Sequence, residues 1–271
     1  MNRDFSQNKL YRMMIFFPIM SFRIMRKVVY RFSRDSKFVR SLRNTKKGKS
    51  CFIIGNGPSL TADDLESISN YDTFATNRIY SIFGQTSWRP TYYIAIDNNI
   101  LEDNLKDILN TEAGTKFLNY TVKNKVKDIV TNNTHFINIF GRYVISPASY
   151  VTKHINYDVS KSFSLSYSVT GVAIELAVYM GYKNIYLIGV DHSYTNTITK
   201  NGVLNKTEGI KDYFGNLKSK SYSIQYIDAV NSYYLALKKH AQKYNSNIFN
   251  ATRGGKLEIF QRVNLDDIKI D

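Results

Sequence analysis

The feature that most constrains this chain is a recurring unit, a short apolar run that stops abruptly in small and polar residues. In "CFIIGNGPSL", Cys51 to Ile54 runs into Gly55-Asn56-Gly57-Pro58-Ser59. The same pattern recurs in "TFATNRIY", "YYIAIDNN" and "IYLIGVDHSY". Such runs suit strands covered on both faces, and their alternation with helical periodicity predicts an α/β domain with a mostly parallel sheet flanked by helices. Strands are expected over 51–54, 73–76, 92–96, 117–120, 135–140, 185–188 and 247–249, with helices over 62–69, 101–109, 169–180 and 223–244. The polar stretch 195–221 has no strong period and reads as an excursion or lid over a site.

The net charge of +15 is unevenly placed. Residues 1–49 hold 14 Lys and Arg against Asp4 and Asp35, about +12, which leaves about +3 for the rest of the chain. A nearly balanced body does not favour nucleic acid as a partner. The basic segment also carries Met14, Phe17, Ile19, Phe22, Ile24, Met25, Val28 and Val29. Its uncharged run over 13–22 is too short to span a bilayer, which takes roughly 20 residues. The chain therefore divides into a basic amphipathic helical extension at 1–48 and an α/β domain at 49–271. The extension is expected to lie on an anionic membrane surface through residues 10–49, making the protein cytoplasmic and peripheral on the inner face of the cytoplasmic membrane. A helix that merely packs on the domain, or pairs two subunits in a homo-oligomer, is the other option. The single cysteine, Cys51, sits in a strand and reads as a buried, inert thiol.

Ligands of open parallel sheets sit beyond the carboxyl ends of the strands. Polar residues at several such ends, Asn56, Asn77, Asp97 with Asn98, and Asp191 with His192, are therefore expected to share one crevice. In the first corner, Gly55 and Gly57 would let backbone approach a ligand, and Pro58, Ser59 and Thr61 would open a helix whose amides attract phosphate. The corner lacks the Lys of a P-loop and the third glycine of a dinucleotide fingerprint. Thr170-Gly171 begins a second helix able to hold an anion or a sugar oxygen. His192 is the best general-base candidate, and no histidine or acid spacing suggests a metal centre.

The set "GNGPSL", "ATN", "DNNIL" and "TGVAIELAVYMGYKNIYLIGVD" resembles the family described as 6-hydroxymethylpterin diphosphokinase MptE-like. It is also similar to bacterial sialyltransferases of glycosyltransferase family 42, over roughly residues 49–265. The resemblance implies a Rossmann-like domain with a nucleotide at the strand ends. Asn56 and Gly57 would meet the donor phosphate and sugar, and Asn77 and Asn98 the nucleotide, with Thr170 and Gly171 lining the pocket. The sialyltransferases use no metal, a His that takes the acceptor proton and Tyr hydroxyls at the departing phosphate. That His would precede the last long helix, where "KSKSYSIQYIDAV" has none. His192 is the replacement candidate, and Tyr194, Tyr213 and Tyr222 are the available tyrosines.

Two enzyme readings follow. One is a glycosyltransferase of bacterial surface polysaccharide (LPS, capsule or exopolysaccharide) synthesis, needing no cofactor. Its donor would be a nucleotide-activated sugar, with a CMP-linked acidic sugar as one case, and its acceptor lipid-linked or an oligosaccharide. The alternative transfers diphosphate from ATP to a hydroxymethylpterin and requires Mg²⁺, which Asp97 and Asp191 would hold through the phosphates. A non-catalytic nucleotide-binding subunit of a polysaccharide-assembly complex is the third reading.

Overall fold

The structure is a computed structural model that describes residues 24–139, 155–164, 167–199, 201–209 and 224–269. Seven parallel strands follow the predicted apolar runs: β1 (Ser50–Ile54), β2 (Asp72–Thr76), β3 (Tyr92–Ala95), β4 (Thr115–Asn119), β5 (Thr134–Ile137), β6 (Asn184–Ile188) and β10 (Asn247–Asn250). A short β11 (Gln261–Arg262) adds an edge that has no apolar signature. The order is β11-β10-β6-β1-β2-β3-β4-β5, every pair parallel. The chain lays β1 to β5 outward, then returns to place β6 on the other side of β1, with Ile54 opposite Ile188. This reversal is the topological switch point, where open α/β sheets form their ligand crevice.

Alternate residues of each strand enter two cores. Cys51 and Ile53 share one with Phe74, Ile94 and Phe117. Phe52 and Ile54 share the other with Ala75, Tyr93 and Leu118. The first core is covered by α2 (Arg34–Ser41), α7 (Val169–Met180) and α8 (Ile227–Lys243). The second is covered by α3 (Ala62–Ser67), α4 (Asn98–Asp103), α5 (Leu105–Asn110) and α6 (Lys123–Val126). Full burial of each large apolar side chain contributes about 1.5–3 kcal/mol, so burial on both faces explains why these strands read as continuous apolar runs. Cys51 lies in this interior, and burial pushes its thiol well above the usual range.

Helix α7 is buried from Thr170 to Met180, not only along Val172, Leu176 and Met180. Its far side meets α8 and the segment that follows α2, where the Asn44 and Lys46 amides donate to the Tyr179 and Met180 carbonyls. Gly181, with φ 88°, stops it, as its sequence position suggests. At Gly171 a Cβ would sit 2.1 Å from the Tyr233 ring, so this glycine lets α8 pack closely.

Several boundaries differ from the sequence pattern. The helix expected over 101–109 is two helices, because Asn104 leaves helical geometry at φ −130° and ψ 26°. The polar stretch after β6 contributes β7 (Asn196–Ile198) and β8 (Leu204–Lys206), an antiparallel pair joined in parallel by β9 (Gln225–Tyr226). Within the N-terminal extension, residues 24–32 are helical and form α1, separated from α2 by Ser33, whose hydroxyl accepts from the Ser36 amide. Tyr30 and Val39 are buried against the domain, and Asp35 pairs with Lys123 at 2.5 Å. No helix among the described residues is long and apolar enough to cross a membrane.

Candidate functional site

A crevice of about 320 Å³ opens at the carboxyl ends of β1, β2, β3, β4 and β6, closed on one side by the first turn of α7. The volume lies in the usual range of small-molecule sites, about 300–1,000 Å³. Gly55, Asn56, Gly57, Asn77, Asp97, Thr170, Asp191, His192 and Tyr194 all line it. Ser59, Asn98 and Gly171 do not. Ser59 donates to Asp191 Oδ2 at 2.8 Å, Asn98 Oδ1 accepts from the Thr121 hydroxyl at 2.8 Å, and Gly171 faces Tyr233.

The Gly-Asn-Gly corner works differently from the expected phosphate cradle. The Gly55 amide donates to the Ile188 carbonyl at 2.9 Å and the Gly57 amide to the Gly189 carbonyl at 2.8 Å. Those donors stitch β1 to the β6 end and are not free for an anion. Neither glycine has positive φ. A Cβ on Gly55 would meet the Gly189 oxygen at 2.2 Å, and one on Gly57 would meet Asp191 Oδ2 at 1.8 Å. Both glycines thus admit the neighbouring chain. Nor does Pro58 open the helix. α3 starts at Ala62, where Thr61 and Asp64 form a reciprocal capping box that satisfies its first donors.

What the corner presents to the crevice is acceptor chemistry. Asn56 Nδ2 donates to the Thr76 carbonyl at 2.9 Å, and Oδ1 is buried with no partner among the described residues. Asn77 Oδ1 is likewise buried and unpartnered. Asn77 also holds a left-handed backbone, φ 46°, fixed by its amide on the Ile94 carbonyl and by the Tyr93 hydroxyl on its own carbonyl. Buried carbonyls without donors are costly, about 1–3 kcal/mol each, so each calls for a partner such as an ordered water or a bound ligand. Donor chemistry comes from α7. Its cap residue, Ser168, makes no hydrogen bond to the helix amides and instead pairs with the Tyr234 hydroxyl at 2.9 Å. Ser168, Val169 and Thr170 line the crevice, so the positive end of the α7 helix dipole lies beside it.

Asp191 and His192 follow β6. Asp191 is buried, and its carboxyl is pushed up by burial against the opposing hydrogen bonds from Ser59. Its carbonyl accepts the Lys256 amide at 2.7 Å, which fixes the loop from the C-terminal side. His192 adopts a left-handed backbone, φ 52°, so its ring turns back beside α8. There Nε2 lies 2.8 Å from Asn231 Oδ1, and Tyr194 Oη is 3.5 Å from Nδ1. Because Asn231 Oδ1 only accepts, the proton belongs on Nε2, and Nδ1 carries the lone pair. Burial pushes the imidazole below its usual range, with Asn231 opposing, which favours the neutral ring. A neutral, oriented imidazole is what a general base requires.

Some lining residues carry little sequence signal. Asn119 ends β4 in the same manner as the recognised corners, and its Nδ2 holds the Ile96 carbonyl at 2.8 Å. Asn231, in the second turn of α8, does not itself line the crevice and becomes visible only once α8 is placed beside His192. Tyr234 and Gln225 reach the crevice from α8 and β9. Tyr213 and Tyr222 lie outside the described residues. The carboxylates available to a phosphate-bridging Mg²⁺, Asp97 and Asp191, both line the crevice. Each has one oxygen engaged, Asp97 Oδ1 by the Asn99 and Ile100 amides at 2.9 and 3.1 Å and Asp191 Oδ2 by Ser59. Among the described residues no group of three or more His, Cys, Asp or Glu is gathered for a metal.

The family model described as 6-hydroxymethylpterin diphosphokinase MptE-like matches residues 28–197, well over half of the chain and most of the crevice wall. The chain belongs to the MptE-like family. The matched span begins within α1. Among solved structures, the chain is similar to the MAf glycosyltransferase from Magnetospirillum magneticum AMB-1, with a TM-score of 0.51 at 17% identity. That similarity covers 86% of this chain but 38% of the other, and at this identity it supports the fold alone. No curated protein matches.

Proposed function

We propose that this MptE-like protein is a glycosyltransferase of surface-polysaccharide synthesis that takes its sugar from a nucleotide-activated donor. The observation that carries the reading is the imidazole of His192, oriented by Asn231, in the crevice shared by Asn56, Asn77, Thr170, Asp191 and Tyr194. The fold shared with a MAf glycosyltransferase is compatible with this reaction class. In this reading the acceptor hydroxyl gives its proton to His192 Nδ1 as its oxygen bonds to the anomeric carbon. The bond from that carbon to the donor phosphate breaks, and the nucleotide leaves with the electron pair. A single displacement of this kind inverts the anomeric centre. Charge developing on the phosphate faces the first-turn amides of α7, the Thr170 hydroxyl and the Tyr194 hydroxyl. The unpartnered Asn56 and Asn77 carbonyls accept from hydroxyl or amino groups of the donor, which suits a sugar nucleotide better than a bare anion. A CMP-linked acidic sugar is the donor favoured by the likeness to sialyltransferases.

His192→Ala tests the assignment. Transfer should fall by about 10²–10⁴-fold, the usual contribution of a general base, while nucleotide binding stays within a few-fold. Full activity in that variant removes His192 from the role.

A further inference from the structure

Helix α1 presents two opposed faces, one buried and one exposed. Tyr30 on α1 is fully buried and meets Tyr120 edge-on at 5.3 Å. On the opposite side Ile24, Met25, Val28, Val29 and Phe32 are all more than half exposed, Phe32 at 72%. At 100° per residue these five side chains occupy an arc of about 140°, centred nearly opposite Tyr30. A contiguous apolar stripe of this kind marks an interaction surface. Its surroundings identify the partner. Lys27, Arg31, Arg34, Lys37 and Arg40 are exposed along α1 and α2. The single acid of residues 24–49, Asp35, is buried and paired with Lys123, so this segment itself adds no exposed negative charge.

We infer that this face binds an anionic lipid surface, with the apolar stripe in the headgroup boundary and the cations on phosphate groups. The charge pattern disfavours a second copy of the same face, which would bring like charges together. Arg26 Nη2 donates to the Ile139 carbonyl at 3.3 Å, and Ile139 lines the crevice. The docked helix thus lies beside the crevice, and bilayer contact would bring the crevice close to the membrane surface. The inference stands apart from the transfer chemistry, because it concerns lipid binding alone.

The test is sedimentation of the full chain with vesicles of phosphatidylcholine, with and without phosphatidylglycerol. Binding is expected only with the anionic lipid and should weaken as salt rises. The double variant Val28→Glu/Phe32→Glu should lower partitioning by at least about tenfold without altering the far-UV spectrum, since both positions are exposed. Unchanged binding in that variant, or none to anionic vesicles, overturns the inference. Placement is read separately from Phe32→Trp. The native Trp88 is buried, so quenching of the new indole by brominated lipid reports the α1 face directly. Vesicle binding without that quenching assigns contact elsewhere and overturns the inference. So does a lipid-free dimer that Phe32→Glu dissociates.

Discussion

Replacing Gly55 by Ala separates two uses of the first glycine corner. If Gly55 serves only to let a ligand approach, Ala fits its backbone and stabilises the ligand-free protein by about 0.4–1 kcal/mol. The structure predicts the opposite sign. The new Cβ would sit 2.2 Å from the Gly189 oxygen, more than about 1 Å inside ordinary contact. A backbone oxygen cannot rotate away, and moving it disrupts the 2.8 Å bond from the Gly57 amide. Overpacking costs about 1–3 kcal/mol and a buried group losing its partner about 1–3 more, so about 2–6 kcal/mol is expected. In a chain of this size that lowers Tm on the order of 10 °C. Gly84 is the control, because a Cβ there meets nothing within 4 Å. Urea unfolding of the ligand-free proteins measures both. A Gly55→Ala protein as stable as the Gly84→Ala control would refute the account of the corner.

Asn231→Ala should act through His192 rather than on the donor. It removes the partner that opposes deprotonation of the ring and releases the tautomer, so kcat should drop and the acid limb of the pH–rate profile should move, with KM for the donor little changed. An unmoved pH profile would count against that role. Stability should fall on acidification. Burial pushes His135 and His240 down to about 4, and pushes His192 in the same direction. Between about pH 6.5 and 4 the unfolded chain binds protons that these rings refuse, so their contribution is present above 6.5 and lost as pH falls. Glu175 opposes them. Burial raises it to about 7, so the fold keeps a proton that the unfolded chain releases, a contribution lost as pH rises through that value. Urea midpoints from pH 7 to 5 should decline, and a midpoint that rises would contradict the assignment. Tyr233→Phe leaves Glu175 Oε1 without its 2.5 Å donor and should cost about 1–3 kcal/mol, more at pH 8 than at pH 5.

The parallel sheet was legible because β1 to β6 are covered on both faces and so read as short, largely apolar runs. Convergence of Asn56, Asn77, Asp97 and Asp191 was legible for a related reason: strand ends in such a sheet share one edge. The physical use of Gly55, Gly57 and Gly171 was not. Each makes room for a segment distant in sequence, Gly189, Asp191 and Tyr233, and local spacing cannot reveal that neighbour. Asn231 is invisible for the same reason, since nothing in "DAVNSYY" marks a residue that faces His192. The hairpin of β7 and β8 is mostly exposed and polar, so it has no apolar period to read.

The central claim is that the crevice holds a nucleotide-activated sugar, and nucleotide-dependent thermal stabilisation tests it most directly. CMP, CDP, UDP and ATP are compared at equal concentration, each with Mg²⁺ and with EDTA. A ligand at about 100 times its Kd adds about 2.7 kcal/mol, a rise in Tm of several degrees. The account predicts that CMP gives that rise and that EDTA leaves it unchanged. Stabilisation by ATP alone, and only with Mg²⁺, would contradict it and assign the crevice to diphosphate transfer.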